Sequence, residues 1–438
     1  MTTPSAPDPG ARCGSYAMVR RGLRTGPGSR AEVAWVVLVL LLTALPVGWC
    51  GFKDFREALT FAGCVTGAAL MVAALIMVVG VAAVVDCWAR GPNSNLGVVA
   101  LISTGVALLT NVLLALQTWN DGEKVGYKVL TIMLSVSALS AILLVRRRLD
   151  DIPTPKRVAA ALIVSTLVAV ANFSYQYLFQ PYRREATPLV QLNVGKAVLI
   201  ADRKLLSVPV DIKLVNHSDM GFYVLGAEFH AMGEDVAVTR RDLAREKWQE
   251  EAEQWARYRE KHPLTRREVY QPGKLVAAQP WMPPGNWVEA NDESLTRTVV
   301  QLPSDTNFDK LTFYATLSLA RKDRLVMDRF GGPSYSWRGI TVPQWIKEDQ
   351  KDIDTIIQTA AMQENNAIDQ ITRKKRRVTT YWRFGPHGVD VSPVIAPVGE
   401  ENRTFPEQTL RAVRSRYGLI DVLAGPVEEM LDEIKARR

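Results

Sequence analysis

The chain has 438 residues, 47% hydrophobic and 22% charged, with a formal net charge of +8. That length suits two or three domains. Four cysteines are too few for a disulfide-built scaffold, and the averages hide a sharp division along the chain.

Residues 1–32 read as a disordered basic tail rich in Pro, Gly, Ser and Arg, with a net charge of +3. Residues 33–180 are dominated by Ala, Val, Leu, Ile and Gly. Five apolar stretches, 33–50, 58–85, 96–118, 127–145 and 158–179, are long enough or nearly so to cross roughly 30 Å of hydrocarbon as helices. Their interiors avoid Lys, Arg and Glu, which are costly at a bilayer centre. No small-x-small cleavage site lies near 45–51, so the first stretch is expected to be retained as a span.

Flanking charge sets the expected orientation. Arg12, Arg20, Arg21, Arg24 and Arg30 precede the first span, and Arg146, Arg147, Arg148, Lys156 and Arg157 lie between the fourth and fifth. The positive-inside rule places both groups in the cytoplasm and everything after Phe179 outside. The expected location is therefore the plasma membrane, multi-pass, with a cytoplasmic N-terminus and an extracytoplasmic C-terminal domain. The tail and the 146–157 loop each contribute +3, leaving the rest of the chain at about +2. Bulk charge thus argues against nucleic acid as a partner.

Within the spans, Gly63 and Gly67 form a GxxxG step, and Ser135, Ser137, Ser140 and Ala141 give a small-residue face. Such faces pack helices within one chain or join two copies into a homo-oligomer. Asn111 and Asn172 are the candidate intramembrane polar contacts, either locking the bundle or lining a transport path. Cys50 and Cys64 read as apolar packing residues, with a disulfide as the alternative.

The chain after Pro181 has strand signals. Leu206, Val208, Val210, Ile212 and Leu214 alternate with mostly polar residues, and Pro209 implies an edge or a bulge. Residues 222–230, 296–302 and 311–319 read as further strands. Charged residues 240–260 read as a helical insertion. A stripe from Trp345 to Thr372, with Ile346, Ile353, Ile357, Ala360, Ala367, Ile368 and Ile371, predicts a long amphipathic helix. Thr404 and Glu407 predict a capping box, and Pro426 with Glu428 and Glu429 predicts the start of a last helix.

The expected fold is α+β: a five-helix transmembrane bundle (33–180), then an extracytoplasmic antiparallel β-sandwich of immunoglobulin-like general form (181–342). A helical and mixed region (343–438) packs on that outer domain.

Two features invite a functional reading. Arg373, Lys374, Lys375, Arg376 and Arg377 follow the expected long helix, as favourable helix-end charges or as a patch for lipid headgroups or wall polymers. Trp281 and Trp287 flank a Pro-rich turn and form a candidate aromatic binding loop, unless folded onto the core. The loop from Phe330 to Trp337 is similar. The four histidines, His217, His230, His262 and His387, are scattered, and no GxSxG, HExxH, P-loop or GxGxxG motif occurs. No catalytic residue, metal ligand or cofactor is assigned. The reading is an integral membrane protein presenting an outer binding or interaction domain. Its expected partners are membrane lipid, and a cell-wall polymer or another membrane protein. A transport or channel component, or an outer enzyme acting on lipid or wall polymer, are the alternatives.

Overall fold

A computed structural model describes residues 27–90, 96–148, 188–235, 273–349, 354–385 and 388–437, except 201 and 203, with a few helical positions between 245 and 253. The architecture is α+β: four apolar helices, then antiparallel sheets.

Helices α1 (Pro27–Glu57), α2 (Phe61–Arg90), α3 (Leu96–Asp121) and α4 (Val125–Arg148) are each long and apolar enough to cross a membrane. The fifth apolar stretch, 158–179, with Asn172, lies outside the described residues. The four helices bury small and medium side chains against each other, including Leu40, Met77, Ala107 and Ala138, and leave Leu45, Leu75, Leu113 and Val136 facing outward. A Cβ on Gly67 would lie 2.5 Å from the backbone nitrogen of Phe55 and 2.7 Å from the Gly51 carbonyl. Gly51 and Gly67 therefore let α1 and α2 touch backbone to backbone, and Gly63 meets Ala58 in the turn between them. Asn111 is buried and donates to the Thr43 hydroxyl of α1 at 2.9 Å and, at 3.5 Å, to the Leu134 carbonyl of α4. Cys50 and Cys64 are free thiols.

Three sheets follow. The first holds β1 (Leu189–Val194), β2 (Val198–Ile200), β3 (Leu205–Val215) and β7 (Glu293–Pro303). The second holds β4 (Phe222–Glu234), β5 (Lys274–Pro280), β6 (Trp287–Val288), β8 (Lys310–Arg321) and β14 (Ile420–Met430). The third holds β9 (Leu325–Met327), β10 (Ser334–Tyr335), β11 (Asp354–Glu364), β12 (Arg376–Gly385) and β13 (Gly388–Pro397). Short helices α5 (Gln344–Asp349), α6 (Ala367–Thr372), α7 (Glu407–Tyr417) and α8 (Leu431–Ala436) intervene.

β3 shows strict alternation, with Leu206, Val208, Val210, Ile212 and Leu214 turned inward. They share one buried cluster with Phe229 of β4 and with Phe313 and Leu317 of β8, so the first two sheets enclose a common core. The third sheet covers the opposite face of the second, where Leu225 and Ala320 meet Ala360, Met362, Val378 and Ile395. Pro209 sits in a central strand, not at an edge. It faces the gap where β1 has ended and β2 has not begun, and its carbonyl accepts from Gly195 N–H at 2.8 Å. The interruption removes the need for the N–H that Pro lacks.

The long helix expected over 345–372 is absent. That stretch contains α5, β11 and α6, with 350–353 outside the described residues. Ile357 faces Ile346 and Tyr381 on one side of β11, whereas Ala360 and Met362 face Leu225 and Ala320 on the other. The buried side changes along the strand, 355 and 357 in its first half and 360, 362 and 364 in its second, with 361 and 363 exposed, and the three-residue step from 357 to 360 imitates a helix. The last helix also differs: β14 continues through Pro426 to Met430, and α8 starts at Leu431. α7 does start at Glu407, but its N-cap is Pro406, with no side-chain cap from Thr404. Most of the insertion expected at 240–260 lies outside the described residues.

Candidate functional site

The residues that converge most closely lie where the β domain meets the helix ends. Helix α6 has only six residues and is held largely from outside. Asn366 caps it, accepting from Asp369 N–H at 2.7 Å. The Asp54 carboxylate of α1 accepts from Ala367 N–H at 2.7 Å, and Lys53 Nζ donates to Gln370 Oε1 at 2.6 Å. From α3, Gln117 Nε2 donates to Asp369 Oδ1 at 3.3 Å. In the α3–α4 turn, the Glu123 and Lys124 N–H groups both donate to the Thr372 carbonyl, and Lys124 Nζ donates to the Ile371 carbonyl at 2.7 Å. Three parts of the bundle thus satisfy both ends of one short helix.

Behind α6 lies a buried ionic cluster. Arg373 is 4% exposed and reaches Glu364 at 3.1 Å and Asp369 at 2.9 Å. Tyr417 donates to the other oxygen of Glu364 at 2.5 Å. Burial pushes the Glu364 carboxyl above its ordinary value, against the opposing pull of Tyr417 and Arg373. The Tyr417 hydroxyl is also raised, first by burial and then by Glu364.

The basic run is distributed between this cluster and the surface. Arg376 pairs with Glu123 of the α3–α4 turn, and Lys374 N–H donates to the same carboxylate at 3.2 Å. Lys374 Nζ meets Glu400 at 2.7 Å, and that hydrogen bond holds the Glu400 carboxyl below its usual range. Arg377 lies 3.6 Å from Glu401, and Lys375 is exposed. Arg373 caps the C-terminus of α6, its N–H donating to the Asp369 carbonyl at 3.0 Å.

A small cleft of about 100 Å³ opens beside α6, between Lys53, Asp54 and Leu59 on the bundle side and Val326, Asn365 and Gln370 on the domain side. No group of three metal-binding side chains occurs among the described residues.

The two tryptophans of the candidate loop separate. Trp281 is buried in the main core and donates Nε1–H to the Thr316 carbonyl at 3.2 Å. Trp287 is 58% exposed. In the second loop, Trp337 is also exposed and lies against Tyr335 with ring centroids 4.8 Å apart.

One buried polar pair escaped sequence reasoning. Glu228 and His230 stand two apart on β4, and the imidazole Nδ1 lies 2.8 Å from the carboxylate. His230 stacks on Tyr314 at 4.9 Å. Burial, then Glu428 and Glu234, push the Tyr314 hydroxyl up to about 12. In sequence the pair looks like the solvent face of a two-sided strand.

No family model matches the chain. No curated protein matches it either. Solved structures resemble parts of it, among them the following two. The putative ApaA protein from Bordetella pertussis aligns over 32% of this chain and 82% of its own, at 8% identity and a TM-score of 0.19. Spo0M, a sporulation control protein from Bacillus subtilis, aligns over 58% of this chain and 94% of its own, at 8% identity and a TM-score of 0.17. Likenesses at these scores carry no argument about fold or function.

Proposed function

We propose that this chain is a multi-pass plasma-membrane protein that presents its β domain outside the cytoplasm as a non-catalytic binding and interaction module. The apolar stretch 158–179 serves as a fifth span, and the first two sheets form a sandwich of immunoglobulin-like general form. The observation that carries the reading is the seat of α6 on α1, α3 and the α3–α4 turn. A domain tethered only for retention needs no such fixed pose. A domain that must face a partner at a set angle does.

The helix ends support the proposed orientation. The seat uses α1 at Lys53 and Asp54, α3 at Gln117, and the turn at Glu123 and Lys124. Arg30, Arg90 and Arg146 lie toward the opposite ends of the helices. The positive-inside rule puts that basic end in the cytoplasm and the seat outside. The converging charged groups at the seat are bound to one another, which favours a structural joint over a reaction centre. Arg373 and Arg376 serve the joint, while Lys374, Lys375 and Arg377 face outward toward lipid, wall polymer or another membrane protein.

Thiol labelling of intact cells tests this. Single cysteines at Asp219 and Ser415 should react with an impermeant reagent, and one in the 146–157 loop should not. The reverse pattern would invert the protein and remove the outer-module reading.

A further inference from the structure

One corner of the β domain combines an exposed indole with a cation near the helix ends. β9 pairs with the end of β11, Leu325 opposite Glu364, and Val326 lines the cleft beside Leu59 of the α1–α2 turn. Lys322 lies in the short turn that leads into β9. Its ammonium sits 5.1 Å from the ring centroid of Trp287 and 5.7 Å from that of Tyr223. Tyr223 and Trp287 are register partners, and Phe222 is opposite Arg321. The same end of the domain therefore carries the seat on the helices and this aromatic–cation corner.

We propose that this corner rests in the headgroup layer of the bilayer that holds α1–α4, with Trp287 as an interfacial anchor and Lys322 as a donor to lipid phosphate. The proposal rests on the membrane-anchored reading given above. Indole suits that layer because its body is apolar and its N–H needs a polar partner. The Lys322 stem covers the rings while its head reaches outward. Glu289 accepts from Lys322 at 2.6 Å, so a lipid phosphate competes with this partly exposed carboxylate.

The bundle repeats the arrangement at the same end. Trp119 near the end of α3 is 63% exposed, and Lys128 lies over its ring at 5.6 Å. A Lys over an outward Trp thus occurs once where a helix leaves the hydrocarbon and again on the adjoining corner of the β domain. Trp337 provides the contrast. Its neighbour Tyr335 pairs with Ile356, eight residues along β11 from Glu364, which is about 26 Å of strand.

The test uses the full chain with native cysteines replaced, reconstituted into phosphatidylcholine–phosphatidylglycerol vesicles that contain headgroup-nitroxide lipid. A nitrobenzoxadiazole reporter goes on a single cysteine at Ala290, an exposed position three residues from Trp287, or at 337 or 61, so that Trp287 and Lys322 stay in place. Phe61, exposed at the start of α2, marks the bilayer. Quenching at 290 should match that at 61 and exceed that at 337 roughly three-fold, because ~26 Å is several times the depth of one headgroup layer. Trp287→Ala and Lys322→Gln should each reduce quenching at 290. Quenching at 61 alone overturns the proposal, leaves the anchored domain standing, and assigns the corner to a partner in water. No quenching at 61 overturns the membrane reading and this proposal together.

Discussion

Replacing Arg373 with Met tests the buried cluster behind α6 most directly. The side chain keeps its apolar stem and loses the guanidinium that lies between Glu364 at 3.1 Å and Asp369 at 2.9 Å. All three groups are at least nine-tenths buried. Removing one partner of a buried pair leaves uncompensated charge and costs about 3–5 kcal/mol. For a folded unit of this size each kcal/mol shifts the melting temperature by about 2–4 °C, so Arg373→Met should lower it by about 10 °C. Thermal unfolding in detergent, followed by tryptophan fluorescence, reads this. Glu364→Gln alone should cost about 1–2 kcal/mol, because Arg373 keeps Asp369 and the amide still accepts from Tyr417. The double variant should be more stable than the two single losses predict, because one orphaned charge is gone. A single-variant loss of under about 1 kcal/mol, or strict additivity, would refute the claim that these charges depend on one another.

The same carboxyl makes a pH prediction. Its folded pKa is raised, so folding takes up a proton and the linked stability grows as pH falls from above that raised value to the ordinary 4.5. The melting difference between wild type and Glu364→Gln should widen in favour of wild type across that window, and a flat difference would contradict it. Gly67→Ala should cost about 1–3 kcal/mol, since its Cβ meets the backbone of α1; Gly126→Ala, with nothing within 4 Å, should be neutral or slightly stabilising by the same melt. Trp281→Ala should cost about 3–5 kcal/mol and Trp287→Ala under about 0.5 kcal/mol, because only the first fills the core. Asn111→Leu should cost about 0.6–2 kcal/mol in bundle stability, measured by unfolding in mixed micelles, as one contact to Thr43 and one weak contact to Leu134 are lost.

Legibility followed burial. Four membrane-length helices were readable because long apolar runs have few other uses, and β3 because one face meets the core and the other does not. β11 looks helical in sequence because its buried side changes between 357 and 360, which breaks the two-residue period. Glu228 and His230 look in sequence like solvent-facing residues of β4, yet both are buried. The seat had no local signal. Asp54 and Ala367 are 313 residues apart, and Glu123 and Arg376 are 253 apart. Each acid looks like an ordinary residue in a turn until the fold brings its partner to it. The basic run was visible as a cluster of charge, but not as the root of β12, and its division among Glu364, Asp369, Glu123, Glu400 and Glu401 required the fold.

The way α6 is held makes it a lever. Its footholds come from α1, from α3 and from the turn into α4, so a slide of α1 against α3 moves them by unequal amounts. Six residues are too few to bend, so the helix must rotate. β11 arrives at one end of it and β12 leaves from the other. A tilt of about 5° at the seat swings the far end of that strand pair through about 2 Å over some 26 Å of strand. Motion confined to the hydrocarbon would therefore surface at Trp345 and Tyr381, whose rings meet edge to face 5.5 Å apart at that far end.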